Sequence, residues 1–119
     1  MKIFTYNHTM KDALLKHQSE ILDALAHPVR LKIVEKLRSG PCCVCKIFAY
    51  VGAEQSNVSH HLAILKRAGV VRSVRKGTWV WYEIADPRIL KIVNLVTSCV
   101  TTTLTKNQAS LRTLLKERN

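Results

Sequence analysis

Residues 52–84 read GAEQSNVSHHLAILKRAGVVRSVRKGTWVWYEI, and this stretch decides the fold. Its first half predicts a helix over residues 54–68, because the apolar residues recur at helical spacing up to Ala68. The inward-facing residues of this helix are Val58, Leu62 and Leu65. From Val70 onward the pattern alternates and is rich in β-branched and aromatic residues, which is typical of strands. The stretch therefore predicts a helix followed directly by a β-hairpin.

The hairpin is predicted from two strands, residues 70–74 and 79–84, and from the polar segment between them. That segment is Arg75-Lys76-Gly77-Thr78. Gly77 can adopt the left-handed backbone conformation that tight hairpin turns require. The hairpin is therefore expected to end in a narrow, strongly basic tip.

The rest of the chain is predicted to be helical. His27-Pro28 and Ser39-Gly40-Pro41 interrupt the helical pattern before the hairpin. The remaining helices are predicted over residues 10–25, 28–38 and 42–51, and from Asp86-Pro87 to near the end of the chain. The 119 residues thus predict one domain, residues 1–119, that is mainly α with a small β-hairpin. The element order is ααααββα, the order of a winged helix-turn-helix.

The charge of the chain points to a polyanionic partner. There are 19 Lys and Arg residues against 8 Asp and Glu, which gives a formal net charge of +11. Nucleic acid is the first partner that such an excess suggests, and an anionic membrane surface is the second. The sequence shows no secretory signal and no apolar run long enough to span a membrane, so we expect a cytoplasmic protein without membrane contact. The four cysteines are then expected to be thiols rather than disulfides.

The segments 42–51 and 54–68 form the predicted helix-turn-helix. The first two turns of its second helix carry short or planar hydrogen-bonding side chains, the kind that reach base edges in the major groove of DNA. We predict base contacts for Gln55, Ser56, Asn57, Ser59 and His60. The alternative is that Ser56 and Asn57 only cap the helix and that the histidines lie on a solvated face.

The basic hairpin favours the DNA-binding interpretation. A hairpin directly after a recognition helix is the wing of a winged helix, and its cations would contact phosphate. We predict this role for Arg72, Arg75 and Lys76. The aromatic residues Trp79, Trp81 and Tyr82 are expected to pack the hairpin rather than to stack on bases. No glycine-rich phosphate loop and no acid–base pair of residues accompanies these features, so an enzyme is not expected.

Three segments together resemble the ArsR/SmtB family of winged-helix metalloregulatory repressors. They are ALAHPVRLKI from Ala24, QSNVSHHLAILKRAGVV from Gln55, and RKGTWVWY from Arg75. The resemblance implies a homodimer whose first and last helices form the interface, with two recognition helices on an inverted-repeat operator in double-stranded DNA. It also implies a repressor that leaves the operator when an inducer binds.

A cluster of cysteines is the predicted sensing site. Cys42, Cys43 and Cys45 lie within four positions of the chain. The resemblance extends to the arsenic- and cadmium-sensing branch, which carries Cys-x-Cys at the start of this helix, and Cys43-Val44-Cys45 matches that pattern. A further cysteine that is common three residues later is Phe48 here, and Cys42 could replace it. Thiolates select soft ions, and trivalent arsenic or antimony needs only three sulfurs, so As(III) or Sb(III) is the expected inducer.

The local geometry decides which of these cysteines can act together. In a regular helix Cys42 and Cys45 share a face, whereas in an extended first turn Cys43 and Cys45 do. Binding by all three therefore requires a local distortion at the helix start. Because this helix belongs to the DNA-reading unit, such a distortion could move the recognition helix.

Other interpretations of the cysteine cluster remain open. Cd(II), Pb(II) or Zn(II) could bind if Cys99 in the last helix supplied a fourth ligand. A repressor that senses oxidants or reactive sulfur could link Cys99 to a cysteine of the cluster. The cluster could also consist of buried, inert small residues. None of these readings requires a cofactor for folding.

Overall fold

The computed structural model describes residues 2–52 and 54–118, with side chains for residues 9–52, 54 and 57–117. The chain forms two compact units, residues 1–86 and residues 87–119. The helices are α1 (Lys2–Leu25), α2 (Pro28–Lys36), α3 (Val44–Val51), α4 (Gln55–Arg67) and α5 (Arg88–Arg118), the strands are β1 (Cys42–Cys43), β2 (Val71–Lys76) and β3 (Trp79–Ile84), and a short 3₁₀ turn covers Leu37–Ser39. This architecture confirms the predicted class, a mainly helical winged helix-turn-helix. The single domain predicted over residues 1–119 stays a prediction.

The core of the first unit is apolar and includes the predicted inward face of α4. Leucine, isoleucine and valine side chains of α2, α3, α4 and β2 fill it. The fully buried members are Ile33, Leu37, Ile47, Leu62, Leu65, Val34, Val58, Val70 and Val71. Because α4 buries its predicted inward face completely, its opposite face is presented to solvent.

The start of α2 shows why the chain turns at His27-Pro28. His27 has an extended backbone, and its Nδ1 accepts a hydrogen bond of 3.1 Å from the backbone N–H of Val29. Pro28 occupies the first helical position, where its missing N–H costs nothing. A histidine thus caps this helix in the way that Ser or Asp usually does.

The sheet has three strands in the order β1-β3-β2, whereas the sequence predicted only the two-stranded hairpin. Cys42 lies opposite Tyr82 and Cys43 lies opposite Trp81 in antiparallel register. The short helix predicted over 42–51 therefore begins only at Val44. The correction has a simple cause: a strand of two residues has no periodicity of its own and forms because β3 offers it hydrogen-bonding partners.

Other element ends also differ from the predictions. α1 begins at Lys2 rather than near residue 10, since no proline or glycine interrupts the preceding sequence. α2 ends at Lys36, and a 3₁₀ turn continues to Ser39. Such a tightened last turn is common at helix ends.

The second unit is the single helix α5. Its apolar side chains are largely exposed, among them Leu95, Val96, Val100, Leu104, Leu111, Leu114 and Leu115. Four threonines of this helix bend their hydroxyls back to the carbonyl four residues earlier, for example Thr103 to Cys99 at 3.0 Å. These bonds accommodate β-branched residues that are poor helix formers. In the described part of the chain, no helix combines the length and the apolar character needed to cross a membrane.

Candidate nucleic-acid interface and cysteine pair

The outer face of α4 carries the polar side chains predicted to read bases. Asn57, Ser59 and His60 are exposed, as a base-reading role requires. The side chains of Gln55 and Ser56 lie outside the described residues. The N-cap of α4 is Glu54, which makes no side-chain capping bond, so Asn57 is not the capping residue. The first turns of α4 thus present short polar side chains to solvent.

His61 is half-buried and joins α4 to the rest of the unit. Its Nδ1 accepts a hydrogen bond of 3.1 Å from Nε of Arg30 in α2. Arg30 also donates from Nη1 to the backbone oxygen of Asp23, near the end of α1, at 3.2 Å. The ring of His27 lies 4.4 Å from the ring of His61, centroid to centroid. One guanidinium and two imidazoles therefore connect α1 and α2 to the recognition helix.

This environment lowers the pKa of His61. Partial burial is the largest cause, and the nearby His27, Arg30 and His60 add to it because they disfavour a second positive charge. The neutral imidazole is also the form that can accept the hydrogen bond from Arg30. Sequence reasoning missed this role, and the signal was weak: only the repeated His in residues 60–61 marked the position.

The wing has the predicted tight tip. Lys76 pairs with Trp79, and Gly77 has φ of +60°, so two residues make the turn. Arg75 and Lys76 are exposed, as expected of phosphate contacts. Arg72 is also exposed, but its Nε donates to Oε1 of Glu83 across the hairpin at 2.6 Å. A phosphate that contacts Arg72 would therefore share it with this carboxylate.

The aromatic residues of the wing do not all pack as predicted. Trp79 is 60% exposed, so the prediction that it packs the hairpin is wrong. It lies at the tip of the ribbon, where it pairs with Lys76 beside the turn. Trp81 and Tyr82 are half-buried and line a shallow cavity of about 290 Å³ beside Pro41.

Cys43 and Cys45 meet at the junction of β1 and α3. The backbone of Cys43 is extended, with φ −73° and ψ 151°, and Cys45 lies in the first turn of α3. Their sulfur atoms are joined as a disulfide across a Cα–Cα distance of 5.5 Å. This arrangement is the one predicted for an extended first turn. It corrects the expectation that all four cysteines are thiols.

Cys42 does not join this pair. Cys42 and Cys43 are both buried, but successive side chains of a strand point to opposite faces, so Cys42 points away from its neighbour. Cys42 and Cys99 are free cysteines, the first buried and the second exposed on α5. A disulfide between Cys99 and a cluster cysteine stays a prediction. Within the described residues, no group of three His, Cys, Asp or Glu side chains is arranged to hold a metal ion.

The cysteine pair connects the two parts of the DNA-reading unit. Cys43 is paired with Trp81 in the wing, and Cys45 belongs to α3, the first helix of the helix-turn-helix. The two sulfurs therefore lie where the wing strand β1 meets α3. The sequence predicted that these cysteines lie at the start of α3. It did not predict their connection to the wing, because that connection depends on β1.

A second basic group lies next to the helix-turn-helix turn and was not predicted. The Nζ atoms of Lys32 and Lys36 in α2 lie 5.6 Å and 5.2 Å from the ring centroid of Tyr50 in α3. Lys32 Nζ also donates to the backbone oxygen of Val51 at 3.3 Å. The i, i+4 spacing of the two lysines was visible in the sequence, but their neighbour in α3 was not.

A recognition helix with a polar outer face, followed by a basic wing, defines a DNA-binding protein of the winged helix-turn-helix class. The family model of bacterial regulatory proteins of the arsR family matches residues 27–73. An uncharacterised HTH-type transcriptional regulator of Methanocaldococcus jannaschii is 44% identical over 79 residues, which are 66% of this chain and 89% of the relative. The chain belongs to the ArsR family of transcriptional regulators.

Two further similarities agree with this assignment. The arsenical resistance operon repressor of Bacillus subtilis is 32% identical over 91 residues, or 76% of this chain and 87% of that protein. The solution structure of a homodimeric winged helix-turn-helix domain from Mycobacterium bovis superposes with a TM-score of 0.73 at 32% identity, covering 79% of this chain and 87% of that one. The chain is therefore a DNA-binding transcriptional regulator and not an enzyme.

Proposed function

We propose that the chain is a homodimeric repressor that binds an inverted-repeat operator and leaves it when an inducer engages Cys43 and Cys45. The observation that carries this proposal is the position of the two sulfurs, which lie in contact at the junction of the wing strand β1 and helix α3. An inducer that binds there changes the hinge between the two DNA-contacting parts.

Base reading is assigned to the exposed start of α4. Asn57, Ser59 and His60, together with Gln55 and Ser56 of the first turn, would lie in the major groove. Arg75 and Lys76 at the wing tip, with Arg72 behind them, would contact phosphates. Such contacts position the protein on the duplex, while the α4 side chains supply the sequence preference.

The homodimer is supported by apolar surface that one subunit leaves uncovered. Met10, Leu14, Leu15 and Leu22 on α1 are more than half exposed. On α5, Leu90, Val93, Thr97, Val100, Leu104, Asn107, Leu111 and Leu114 follow the alternating three- and four-residue spacing of a helix that packs against another helix. Two copies of this chain would bury both stripes. The similar winged helix-turn-helix domain from Mycobacterium bovis is homodimeric.

As(III) or Sb(III) is the first inducer to consider. Adjacent thiolates bind soft, thiophilic ions, and the relative from Bacillus subtilis is an arsenical resistance operon repressor. The described geometry offers the two sulfurs of Cys43 and Cys45. A third thiolate from Cys42 would require β1 to separate from β3, because Cys42 lies on the other face of that strand. The expected site is therefore the Cys43–Cys45 pair, and recruitment of Cys42 is the variable to test.

A second candidate is a thiol-oxidation switch, favoured by the disulfide between the same two residues. In that case a peroxide or a polysulfide removes two electrons and two protons from the two thiols and is itself reduced. The free, exposed Cys99 is then not needed, in contrast to the pairing expected from the sequence.

The experiment is fluorescence anisotropy of reduced protein on its own upstream promoter fragment. Arsenite, antimonite, cadmium, lead, zinc and a polysulfide are added separately. The variants are Cys43→Ser, Cys45→Ser, Cys42→Ala and Cys99→Ala. Alanine is used at position 42 because this side chain is buried and a hydroxyl there would lack a partner; Cys43 is equally buried, so Cys43→Ala is measured beside Cys43→Ser.

Release by arsenite that is lost in Cys43→Ser and Cys45→Ser but kept in Cys42→Ala supports a two-sulfur metalloid site. If Cys42→Ala also abolishes the release by arsenite, β1 separates from β3 and all three cysteines bind. Release by polysulfide alone would assign the oxidation switch. If none of the additions releases the DNA, or if both serine variants respond like the parent, the cysteine pair is not the sensor.

A further inference from the structure

Lys32, Lys36 and Tyr50 form a surface cluster, called the α2–α3 basic cluster below. Two ammonium groups converge on one aromatic ring, at 5.6 Å and 5.2 Å from its centroid. Tyr50 is 42% exposed, so the ring and its cations are reachable from solvent. A pair of lysines on adjacent turns of α2 is thus held in one place rather than spread over the surface.

The α2–α3 basic cluster lies next to the turn that leads into the recognition helix. Lys32 Nζ donates to the backbone oxygen of Val51, the last residue of α3. Gly52 follows with a left-handed backbone, and α4 begins at Gln55. In a helix-turn-helix the helix before the recognition helix crosses the sugar–phosphate backbone, and Tyr50 and Val51 belong to that helix. The cluster therefore stands where a phosphate strand would run.

The cations of the cluster have hydrogen-bond donors to spare. A lysine ammonium has three N–H donors, and Lys32 uses one on Val51. Among the residues that the structure describes, neither lysine forms an ion pair with a carboxylate. The nearby Glu35 makes two hydrogen bonds to Arg38 instead, at 2.9 Å and 3.1 Å. The described part of the chain thus brings two cations together and places no carboxylate in an ion pair with either.

We propose that the α2–α3 basic cluster is a DNA phosphate-binding site, additional to the recognition helix and the wing, in which Tyr50 holds the two lysines toward one strand. The inference rests on the DNA binding of the family to which the chain belongs and not on the inducer or on the operator sequence. Contacts to phosphate are independent of sequence, so the site adds affinity for any duplex.

The test measures binding of reduced protein to a labelled duplex of mixed sequence, about 30 base pairs or three helical turns long. Dissociation constants are determined over a series of salt concentrations for the parent chain and for the double variant Lys32→Gln, Lys36→Gln. The matched control is Lys106→Gln, Lys116→Gln on α5, which removes the same charge. Far-UV circular dichroism and urea unfolding verify that each variant is folded.

The double variant is expected to reduce the slope of log K against log salt by about 1.8 for each DNA-bound subunit, since each phosphate contact contributes about 0.9. At about 0.1 M salt the affinity should fall by roughly ten-fold or more. The control should leave the slope unchanged. A double variant that is folded and keeps the parent slope, or a control that lowers the slope equally, would overturn the proposal.

The variant Tyr50→Leu tests whether the aromatic ring contributes to the phosphate-binding site. In the parent chain it is expected to weaken binding, because the lysines lose their support. In the Lys32→Gln, Lys36→Gln background it should have no further effect, since the ring acts through the two cations. An equal loss in both backgrounds would mean that the ring does not act through the lysines and would remove it from the site. Failure of this site leaves the proposed inducer response untouched, because that response is measured as release from the promoter.

Discussion

Helices α4 and α5 carry apolar residues at the same helical spacing but bury them to very different degrees. In α4, Val58, Leu62 and Leu65 are at most 2% exposed. In α5, Leu104 and Leu111 are 56% and 59% exposed. The first helix completes the core of its own unit, whereas the second leaves its apolar side chains exposed. The periodicity of a sequence thus predicts a buried face but does not say whether the same chain buries it.

The largest effect is expected at α5. The variant Leu104→Glu, Leu111→Glu removes two apolar side chains from each subunit of the proposed dimer, and each is worth about 1.5–3 kcal/mol when buried. The dimer dissociation constant should rise by at least about 100-fold. Sedimentation velocity over a range of protein concentrations measures it. Thr102→Glu, Ala109→Glu on the opposite side of the helix is the control, and equal dissociation in both variants would contradict an interface on this stripe.

The matching change in α4 is Leu65→Ala, which leaves a cavity in a site that is 0% exposed. The free energy of unfolding should fall by about 2–5 kcal/mol in urea denaturation. Leu31→Ala on α2, where the side chain is 38% exposed, should cost less than about 1.5 kcal/mol. A similar loss in both variants would show that the core is not concentrated on the inner face of α4.

The attachment of α4 to α2 predicts a pH dependence. The pKa of His61 is lowered by burial and by His27, Arg30 and His60, so the folded chain binds this proton less tightly than the unfolded chain. The free energy of unfolding should therefore fall as the pH drops below about 6.5 and level off below the lowered pKa. Urea unfolding of the parent chain and of His61→Gln, at pH values of about 7.5 and 5.5, measures the difference. The variant should lose less stability on acidification, and an identical loss would exclude His61 as the cause.

The smallest effect is expected at the wing. Arg72 and Glu83 form an ion pair at 2.6 Å, but their side chains are 62% and 26% exposed. A double-mutant cycle with Arg72→Gln and Glu83→Gln should give a coupling energy of about 0.2–1 kcal/mol. DNA binding distinguishes a second role: Glu83→Gln should strengthen binding slightly, because it frees Arg72 for phosphate. Weaker binding in Glu83→Gln would argue that the ion pair itself orients the wing.

Most of the fold could be predicted because its elements are long and strongly patterned. The inward face of α4 and the tip at Gly77 follow from spacing and from turn chemistry alone. Strand β1 could not be predicted, since its two residues pair with a strand that lies nearly forty positions away in the sequence. The exposure of Trp79 was missed for a related reason, because burial at a hairpin tip depends on what packs against it.

The candidate site was predicted in part. The sequence identified the cysteines and the polar face of α4, but the separation of Cys42 from Cys43 and Cys45 depends on the strand that the sequence did not reveal. Arg30 and His61, like Lys32 and Tyr50, meet only through the packing of α2 on its neighbours. Contacts between elements are set by tertiary structure, so local patterns do not contain them.

We propose above that the Cys43–Cys45 pair controls DNA binding from the junction of β1 and α3. The deciding measurement is the promoter dissociation constant of a Cys42→Ala, Cys99→Ala chain, which keeps only the cysteines of this pair. The constant is measured first with the two thiols reduced and then with the two sulfurs joined. We expect tight binding in the reduced form and at least about ten-fold weaker binding once the thiols are joined by oxidation or by arsenite, a change of about 1.4 kcal/mol. Equal dissociation constants in the reduced and the joined states would contradict it.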